Sequence, residues 1–270
     1  MARVRILLTG ANGQLGRLFC AVIETAFPHV EVVKATRHTA WTLARPLAGM
    51  AALGAIDAVV HLAAPTPAGH VRDYGETVDL ACAAQSVAQA LGARLIVMSS
   101  QAVYGAPRGH AFRETDPIAP QNDYGRAKAA MEAALDPDCL ILRLGNVVGT
   151  DQLGRNLRSG ETIQLDRFAE GFPVRSYIGP MTLCRVLVGL AHAKETGVYN
   201  LAAPVPVEMG ALVAAFGGQW HAGPLRAGPA VIALDVSKIA AIVSFSAQEN
   251  LPLEMVTQFT GLAAALGATS

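Results

Sequence analysis

Short apolar segments alternate with helical segments from residue 4 to about residue 150. The first apolar run, Val4 to Leu8, ends in a glycine-rich turn, and Leu15 to Ala26 then has a helical pattern. Later apolar runs include Ala58 to Ala63 and Leu140 to Leu144. Strands that alternate with helices are typical of a parallel sheet with right-handed crossovers. The sequence therefore predicts an α/β fold with a Rossmann-type doubly wound parallel sheet.

Composition narrows the class further. Apolar residues make up 52% of the chain and charged residues 16%, which favours strands covered on both faces. The formal net charge is zero and no basic stripe is present, so we expect no nucleic-acid partner. We find neither a leader-like N-terminus nor an apolar run of membrane-spanning length, so we expect a cytoplasmic protein with no membrane partner. Four widely spaced cysteines predict reduced thiols and no metal site: Cys20, Cys82, Cys139 and Cys184.

The regular alternation loosens after Gly149. Residues 151–180 are rich in glycine, arginine and polar side chains, and proline and glycine recur from Pro204 onward. We therefore divide the chain into a dinucleotide-binding domain, 1–150, and a small irregular C-terminal substrate-binding lobe, 151–270. A helix and a strand at about 181–203 are expected to return to the main sheet. Ligands of open α/β sheets bind at the edge that such a lobe would close.

The glycine-rich turn, Thr9 to Gly16, lies between a predicted strand and a predicted helix. Gly10 permits a tight turn and Gly13 lets the backbone approach a pyrophosphate, while the following helix directs its free N–H groups at the anion. The glycine spacing, with Gly16 as the third, is G-x-x-G-x-x-G. In that context the turn indicates a dinucleotide site, although a simple turn is the alternative.

The end of the second predicted strand bears on which dinucleotide binds. NAD sites usually place an acidic residue there, on the ribose 2′-hydroxyl. This chain has Thr36 and Arg37 instead, and a guanidinium suits a 2′-phosphate. We expect NADP, with NAD as the open alternative.

A serine, a tyrosine and a lysine follow the glycine-rich turn, at positions that suit proton transfer beside a nicotinamide. Tyr124 and Lys128 are four residues apart on a predicted helix, so they share a face. A free tyrosine has a pKa of about 10, and a nearby ammonium together with a cationic nicotinamide should lower that value. Tyr124 would then exchange a proton with a substrate oxygen as hydride moves, and Ser100 would hydrogen-bond the same oxygen. Each residue alone has an ordinary structural explanation.

Several stretches together resemble the extended short-chain dehydrogenase/reductases of the NAD-dependent epimerase/dehydratase family. They are Thr9-Gly10-Ala11-Asn12-Gly13-Gln14-Leu15-Gly16, His61-Leu62-Ala63-Ala64, Ser99-Ser100-Gln101-Ala102-Val103-Tyr104-Gly105, Tyr124-Gly125-Arg126-Ala127-Lys128, Leu142-Arg143-Leu144-Gly145-Asn146-Val147-Val148-Gly149 and Gly197-Val198-Tyr199-Asn200. The resemblance implies Ser100, Tyr124 and Lys128 as catalytic residues. It implies cofactor contacts from Gly10, Asn12, Gly13, Gln14, Leu15, Gly16, Thr36, Arg37, Leu62, Ala63, Ala64, Ser99, Tyr124, Lys128 and Asn146.

The resemblance also suggests substrate contacts. Arg175 matches a family arginine that meets a diphosphate or another anionic group, and Ser100 and Gln101 would face the substrate. Arg155, Arg158 and Arg167 could serve similarly or lie on a solvated loop. Dehydratases of the family carry an Asp-Glu pair where this chain has Gln101-Ala102, so we do not expect sugar-nucleotide dehydration.

Three functions stay open. The first is an NAD(P)-dependent oxidoreductase that moves hydride between nicotinamide and a hydroxyl or keto carbon of a sugar-like small molecule. The second is a sugar-nucleotide epimerase with tightly bound NAD, and the third is a catalytically idle NADP-sensing protein. A homodimer is common in the family and is possible here.

Overall fold

The computed structural model describes residues 3–36, 53–65 and 74–267, with side chains described as far as residue 262. The strands are β1 (Val4–Thr9), β2 (Val30–Ala35), β3 (Ala58–His61), β4 (Arg94–Ser100), β5 (Leu140–Leu144), β6 (Asn146–Val147), β7 (Ile163–Arg167), β8 (Val174–Arg175), β9 (Tyr177–Ile178), β10 (Gly197–Leu201), β11 (Val207–Glu208), β12 (Trp220–Leu225) and β13 (Val231–Ile232). The α-helices are α1 (Gln14–Ala26), α2 (Glu76–Leu91), α3 (Asp123–Ala134), α4 (Gln152–Arg158), α5 (Pro180–Leu190), α6 (Met209–Ala215), α7 (Ser237–Ala240) and α8 (Pro252–Gly267).

The described residues form a six-stranded sheet in the order β2-β1-β3-β4-β5-β10. Every neighbouring pair in it is parallel. Thr9, the last residue of β1, lies opposite Ala35 of β2 on one side and His61 of β3 on the other. After β1 the chain crosses to β2 on one side of the sheet, and after β3 it crosses to β4 on the other side. The carboxyl ends of β1 and β3 therefore form a topological switch point.

Both faces of the sheet are covered by helices. Ile6 and Leu8 of β1 point into a core that also contains residues of α1 and α5. Leu7, between them, points into a second core that contains residues of α2 and α3. Because the inner strands β1, β3, β4 and β5 are buried on both sides, they are mostly apolar, which accounts for much of the apolar composition. The predicted α/β doubly wound sheet is confirmed.

Predicted and observed boundaries differ by a few residues. The β4 strand runs from Arg94 to Ser100, longer than the apolar run Leu95 to Met98, because its polar ends also pair with neighbouring strands. The β3 strand ends at His61, two residues before the end of the apolar run. After β3, the Leu62 N–H donates to the Thr9 carbonyl at 3.3 Å, so the segment that follows β3 lies against the end of β1.

The C-terminal part builds small sheets around a third core. Strands β6 and β9 pair, β7 pairs with β12, and β8 lies between β11 and β13. The third core contains Leu165, Tyr177, Leu212 and Phe259, so the α8 helix closes this part of the molecule. The α5 helix packs on α1, and β10 extends the main sheet beside β5. Among the described residues, no helix combines the length and apolar character needed to cross a membrane.

Candidate active site

The glycine-rich turn follows β1 directly. Gly10 has a φ of +71°, and a Cβ added there would lie 2.7 Å from the backbone nitrogen of Ala63. A Cβ on Gly16 would lie 2.7 Å from the Cα of Ala11. Gly13 donates its N–H to the Gly10 carbonyl at 2.9 Å, which closes the turn. The backbone packs too tightly for side chains at Gly10 and Gly16, so both glycines are sterically required.

The turn presents the start of α1 to solvent. Gly13 is the N-cap of α1 and supplies no capping side chain, and the first turn of the helix contains no acidic residue. Asn12 and Gly13 are exposed, and Gln14 and Leu15 are half-buried. Free helix N–H groups beside a close backbone are a suitable site for a pyrophosphate.

Replacing Gly10 with alanine is expected to lower the free energy of unfolding by roughly 1 to 3 kcal/mol and to weaken cofactor affinity at least about tenfold. The added methyl group would clash with the Leu62–Ala63 backbone. Gly92→Ala is the matched control, because Gly92 has a similar φ of +61° with no atom within 4 Å of an added Cβ. Thermal unfolding and cofactor titration measure both effects. Equal losses in the two variants would contradict the proposed role of Gly10.

The end of β3 forms the opposite wall of the crevice. The Nδ1 of His61 lies 2.9 Å from Thr9 Oγ1, and the Ala63 N–H donates to the same oxygen at 3.3 Å. Burial lowers the pKa of His61 to about 3, and the charge of Lys128 contributes in the same direction. His61 is therefore a neutral part of the strand wall, and Leu62, Ala63 and Ala64 follow it beside the glycine turn.

The end of β2 lies on the other side of the turn. Ala35 pairs with Thr9, so Thr36 follows directly beside the start of the glycine turn. Arg37, the predicted partner of a 2′-phosphate, lies outside the described residues.

Ser100 and Tyr124 meet at the carboxyl end of β4. The Ser100 hydroxyl accepts the Ala102 N–H at 3.2 Å, which starts a short 3-10 helix. Asn122 caps α3 by accepting the Gly125 N–H at 2.8 Å, which places Tyr124 in the first turn. Burial raises the pKa of Tyr124, and the nearby Ser100 side chain acts in the opposite direction, so the two side chains lie close together. The serine and the tyrosine are thus brought together as predicted.

Burial is the largest influence on the pKa of Tyr124 and raises it, and the effect of the nearby Ser100 offsets this only in part. The ring of Tyr74 contributes to the enclosure, since it meets the Tyr124 ring edge-on with centroids 5.8 Å apart. The expected lowering of this pKa assumes a bound cationic nicotinamide, and in the chain by itself burial has the larger effect. Desolvation disfavours the phenolate more than the surrounding dipoles favour it.

Lys128 lies one helical turn after Tyr124 and is only 5% exposed. Its Nζ donates to the Met98 carbonyl at 2.8 Å. Burial lowers the pKa of Lys128 to about 8, while the charge of Glu132 acts in the opposite direction. The ammonium is therefore anchored to the main chain of β4, directly before the two serines.

A cleft of about 450 Å³ opens beside Ser100. Gln101, Asn146 and Arg175 also line it, so the predicted substrate residues share one cavity. Asn146, which the resemblance assigned to the cofactor, donates its Nδ2 to the Ser176 carbonyl at 3.1 Å. Arg175 donates Nη1 to the Ala230 carbonyl at 2.6 Å, and this contact fixes the guanidinium at the cleft wall.

Ser99 has a different environment from the one expected. It is 2% exposed, and its hydroxyl bonds Glu132 Oε1 at 2.5 Å, so the side chain is committed to α3 and not to the crevice. Arg155 and Arg158 donate to the backbone carbonyls of Thr150 and Gly149, which ties both to the loop before α4. Within the described ranges, no group of three or more His, Cys, Asp or Glu side chains could hold a metal ion.

Sequence reasoning missed several residues around the site. Glu132 lies four residues after Lys128, and this continued spacing was an available signal. Asp151 and Tyr177 line the cleft and are joined by a hydrogen bond of 2.7 Å from the tyrosine hydroxyl. No local pattern pairs those two residues, because they lie 26 positions apart.

Comparisons with known proteins agree with this architecture. Residues 4–171 match the family described as RmlD substrate binding domain. A stretch of 117 residues is 37% identical to dTDP-6-deoxy-L-talose 4-dehydrogenase (NAD(P)(+)) of Kitasatospora kifunensis, and covers 40% of this chain and 37% of that protein. A stretch of 181 residues is 32% identical to UDP-glucose 4-epimerase of Azospirillum brasilense, and covers 57% of this chain and 52% of that protein. The matches thus span about half or less of each relative.

Solved structures share the fold over nearly the whole chain. One is UDP-glucose-4-epimerase from Stenotrophomonas maltophila with bound NAD and formylated UDP-arabinopyranose, with a TM-score of 0.74 at 20% identity over 98% of this chain and 100% of that one. Another is UDP-N-acetylglucosamine 4-epimerase from Methanobrevibacter ruminantium, with a TM-score of 0.73 at 18% identity over 97% and 99% of the two chains.

The family match covers more than half of the chain, and the parallel sheet and the glycine turn agree with it. The chain therefore belongs to the RmlD substrate binding domain family, among the extended short-chain dehydrogenase/reductases of the NAD-dependent epimerase/dehydratase type.

Proposed function

We propose that the protein is an NAD(P)-dependent enzyme that oxidises or reduces a hydroxyl or keto carbon of a sugar nucleotide or related sugar. One observation carries the proposal. Ser100, at the end of β4, lies close to Tyr124 beside the buried Lys128, at the sheet edge that carries the glycine turn. The two sequence relatives, a dTDP-sugar dehydrogenase and a UDP-sugar epimerase, support a sugar-nucleotide substrate.

The compact glycine turn supports a dinucleotide site. A side chain at Gly10 or Gly16 would clash with neighbouring backbone, so the turn keeps its main chain close to the start of α1. The turn and the start of α1 would hold the pyrophosphate, Thr36 and Arg37 the adenosine ribose, and residues 62–64 the opposite side. Tyr124 and Lys128 would hold the nicotinamide ribose. When bound, NAD(P) supplies the hydride donor or acceptor.

The side chains divide the proton chemistry among them. Ser100 fixes the reacting substrate oxygen by a hydrogen bond. Tyr124 takes the proton from that oxygen during oxidation and returns it during reduction. The Lys128 ammonium favours the phenolate electrostatically, and its anchor on the Met98 carbonyl keeps the charge in place. The edge-on Tyr74 ring covers one side of Tyr124, which is half-buried.

The cofactor preference rests on sequence position, and we propose NADP. Arg37→Ala is expected to weaken NADPH affinity by about 10- to 100-fold and to leave NADH affinity unchanged, because a guanidinium contacts only the 2′-phosphate. Fluorescence titration of both reduced cofactors measures the two affinities. Arg226→Ala, an exposed arginine paired with Asp166, is the control. If Arg37→Ala leaves the preference for NADPH over NADH unchanged, Arg37 does not determine the cofactor choice.

Dehydrogenation and epimerisation share this site and differ in net turnover. A dehydrogenase forms or consumes NAD(P)H, whereas an epimerase retains its cofactor and inverts one sugar carbon. The test is incubation with UDP- and dTDP-hexoses and hexuronates plus NAD⁺ or NADP⁺, followed by nicotinamide absorbance and chromatography of the sugars. Net NAD(P)H indicates the dehydrogenase, which we favour, and a new epimer without it indicates the epimerase. Neither product with any sugar would favour an idle, cofactor-sensing protein.

A further inference from the structure

A buried ion pair joins the active-site helix to the sheet. Glu132 of α3 and Arg143 of β5 have side-chain exposures of 6% and 4%. Arg143 donates Nη2 to Oε2 of Glu132 at 2.7 Å and Nε to Oε1 at 3.1 Å, a two-point contact. The free-energy cost of dehydrating two charges largely cancels their attraction. Burial of the pair is therefore weak evidence that it serves stability alone.

Glu132 touches the machinery on both sides. Tyr124, Lys128 and Glu132 follow one another at four-residue spacing and therefore lie on one face of α3. The Ser99 hydroxyl bonds Oε1 of Glu132 at 2.5 Å, and Ser99 is the residue before Ser100. Glu132 thus connects the helix that carries the tyrosine and lysine with the strand that carries the serine.

Arg143 extends the connection to the cleft. Its guanidinium lies over the Tyr104 ring, 4.8 Å from the centroid, and Tyr104 stacks on Phe112 with centroids 4.7 Å apart. Phe112 lines the cleft. The Tyr104 hydroxyl donates to Asn200 Oδ1 at 2.6 Å, which fixes this wall to β10. The ion pair is therefore contiguous with both the catalytic residues and the cleft.

We propose that Glu132 and Arg143 are a positioning pair, which holds Tyr124 and Lys128 in register with Ser100 and balances the charge that Lys128 experiences. This inference rests on the proposed function for its catalytic consequence, but its electrostatic part can be tested on the chain alone. Removing either partner leaves the other as an uncompensated buried charge, and the two uncompensated charges have opposite signs.

The groups that face Lys128 determine whether its titration midpoint rises or falls in each variant. Tyr124 and Glu132 lie on the same helix as Lys128, and His61, whose pKa is lowered, lies at the end of β3. The Met98 carbonyl of β4 accepts a hydrogen bond from Lys128. Arg143 of β5 acts on Lys128 through Glu132, and Tyr74 contacts Tyr124. Glu132→Gln leaves Arg143 unpaired, so Lys128 should lose its proton at lower pH. Arg143→Met leaves Glu132 unpaired, so Lys128 should keep its proton to higher pH.

The test follows the titration of Lys128 by NMR of ¹³C-labelled lysine side chains in the cofactor-free protein, with assignment by Lys128→Met. We expect the midpoint to fall by about one pH unit in Glu132→Gln, to rise by about one in Arg143→Met, and to stay near the wild-type value in the double variant. Glu161→Gln, at an exposed position, is the control. The double variant should fold, because removing both charges together leaves no unpaired charge buried.

Activity gives a second readout. We expect kcat to fall by about 10- to 100-fold in the double variant with KM changed less, because positioning is lost while the charge balance is kept. Midpoints that stay fixed, or that move in the same direction in both single variants, would overturn the proposal. If Glu132→Gln does not fold, Arg143→Met and the double variant still decide it. The two single variants could shift the Lys128 midpoint in opposite directions in a protein that shows no hydride transfer. That result would support the charge-balance role of the pair and reject the proposed function.

Discussion

Replacing Tyr124 with phenylalanine is expected to lower kcat by about 10²- to 10⁴-fold while cofactor affinity changes little. The substitution removes one oxygen, the group that exchanges the proton and contacts Ser100. The phenyl ring keeps its edge-on packing against Tyr74, so the fold around the first turn of α3 should persist. Steady-state kinetics with an accepted sugar nucleotide and fluorescence titration of the cofactor measure the two quantities separately.

Tyr199→Phe is the matched control for that substitution. Tyr199 lies on β10 at the edge of the sheet, away from the carboxyl end of β4, and its loss of a hydroxyl should leave kcat within about twofold. If Tyr124→Phe retains the wild-type rate, proton exchange does not occur through Tyr124. If both variants lose activity and unfold at the same lower temperature, the loss reflects stability and not chemistry.

Replacing Lys128 with methionine is expected to change activity and stability in opposite directions. Turnover should fall by about 10²-fold or more, because the positive charge that favours the Tyr124 phenolate is lost. The free energy of unfolding at pH 7 should rise by about 3 kcal/mol, which corresponds to the change in pKa from 10.5 to about 8 on burial. Methionine is of similar length and needs no hydration, so the core can accept it.

The stability gain has a definite pH dependence. Below pH 8 Lys128 is charged in both folded and unfolded chains, so the full cost of burying the charge is present. Between about pH 8 and 10.5 the unfolded chain binds more protons than the folded one, so wild-type stability rises with pH and the gap to Lys128→Met narrows. Urea unfolding at pH 7, 8 and 9 measures this. Lys194→Met, at an exposed position, should show no such gap. A variant less stable than wild type at pH 7 would contradict the assigned environment of Lys128.

The parallel sheet was predictable from local pattern alone. Strands such as β1, buried along almost their whole length, must be largely apolar, and helices such as α1 must carry apolar residues at helical spacing. The glycine turn was also predictable, since Gly10 and Gly16 meet backbone that leaves space for no other residue. Ser100, Tyr124 and Lys128 could be proposed from the sequence because Ser100 ends a predicted strand, and the tyrosine and lysine share one face of the helix that follows.

The surroundings of these residues were not predictable, because they are made by distant contacts. Arg143 stands in an otherwise apolar strand, but nothing local identifies Glu132 and Tyr104 as its partners. The raised pKa of Tyr124 depends on burial, and the ring of Tyr74 that packs against it comes from a segment 50 positions away. The cleft joins Ser100 to Asp151 and Arg175, which lie on separate small elements of the C-terminal part. Local periodicity carries no information on such pairings.

The central claim is that the Ser100–Tyr124–Lys128 site moves hydride between a sugar carbon and nicotinamide. The most direct test uses a sugar nucleotide deuterated at the carbon that the enzyme oxidises, in single-turnover reactions of wild type and Tyr124→Phe, with mass spectrometry of cofactor and sugar. With the wild-type protein we expect the deuterium to move to the cofactor or to return to the epimerised sugar. With Tyr124→Phe we expect this transfer to be lost while the cofactor still binds. Loss of the deuterium to water, or transfer at the wild-type rate in Tyr124→Phe, would contradict the central claim.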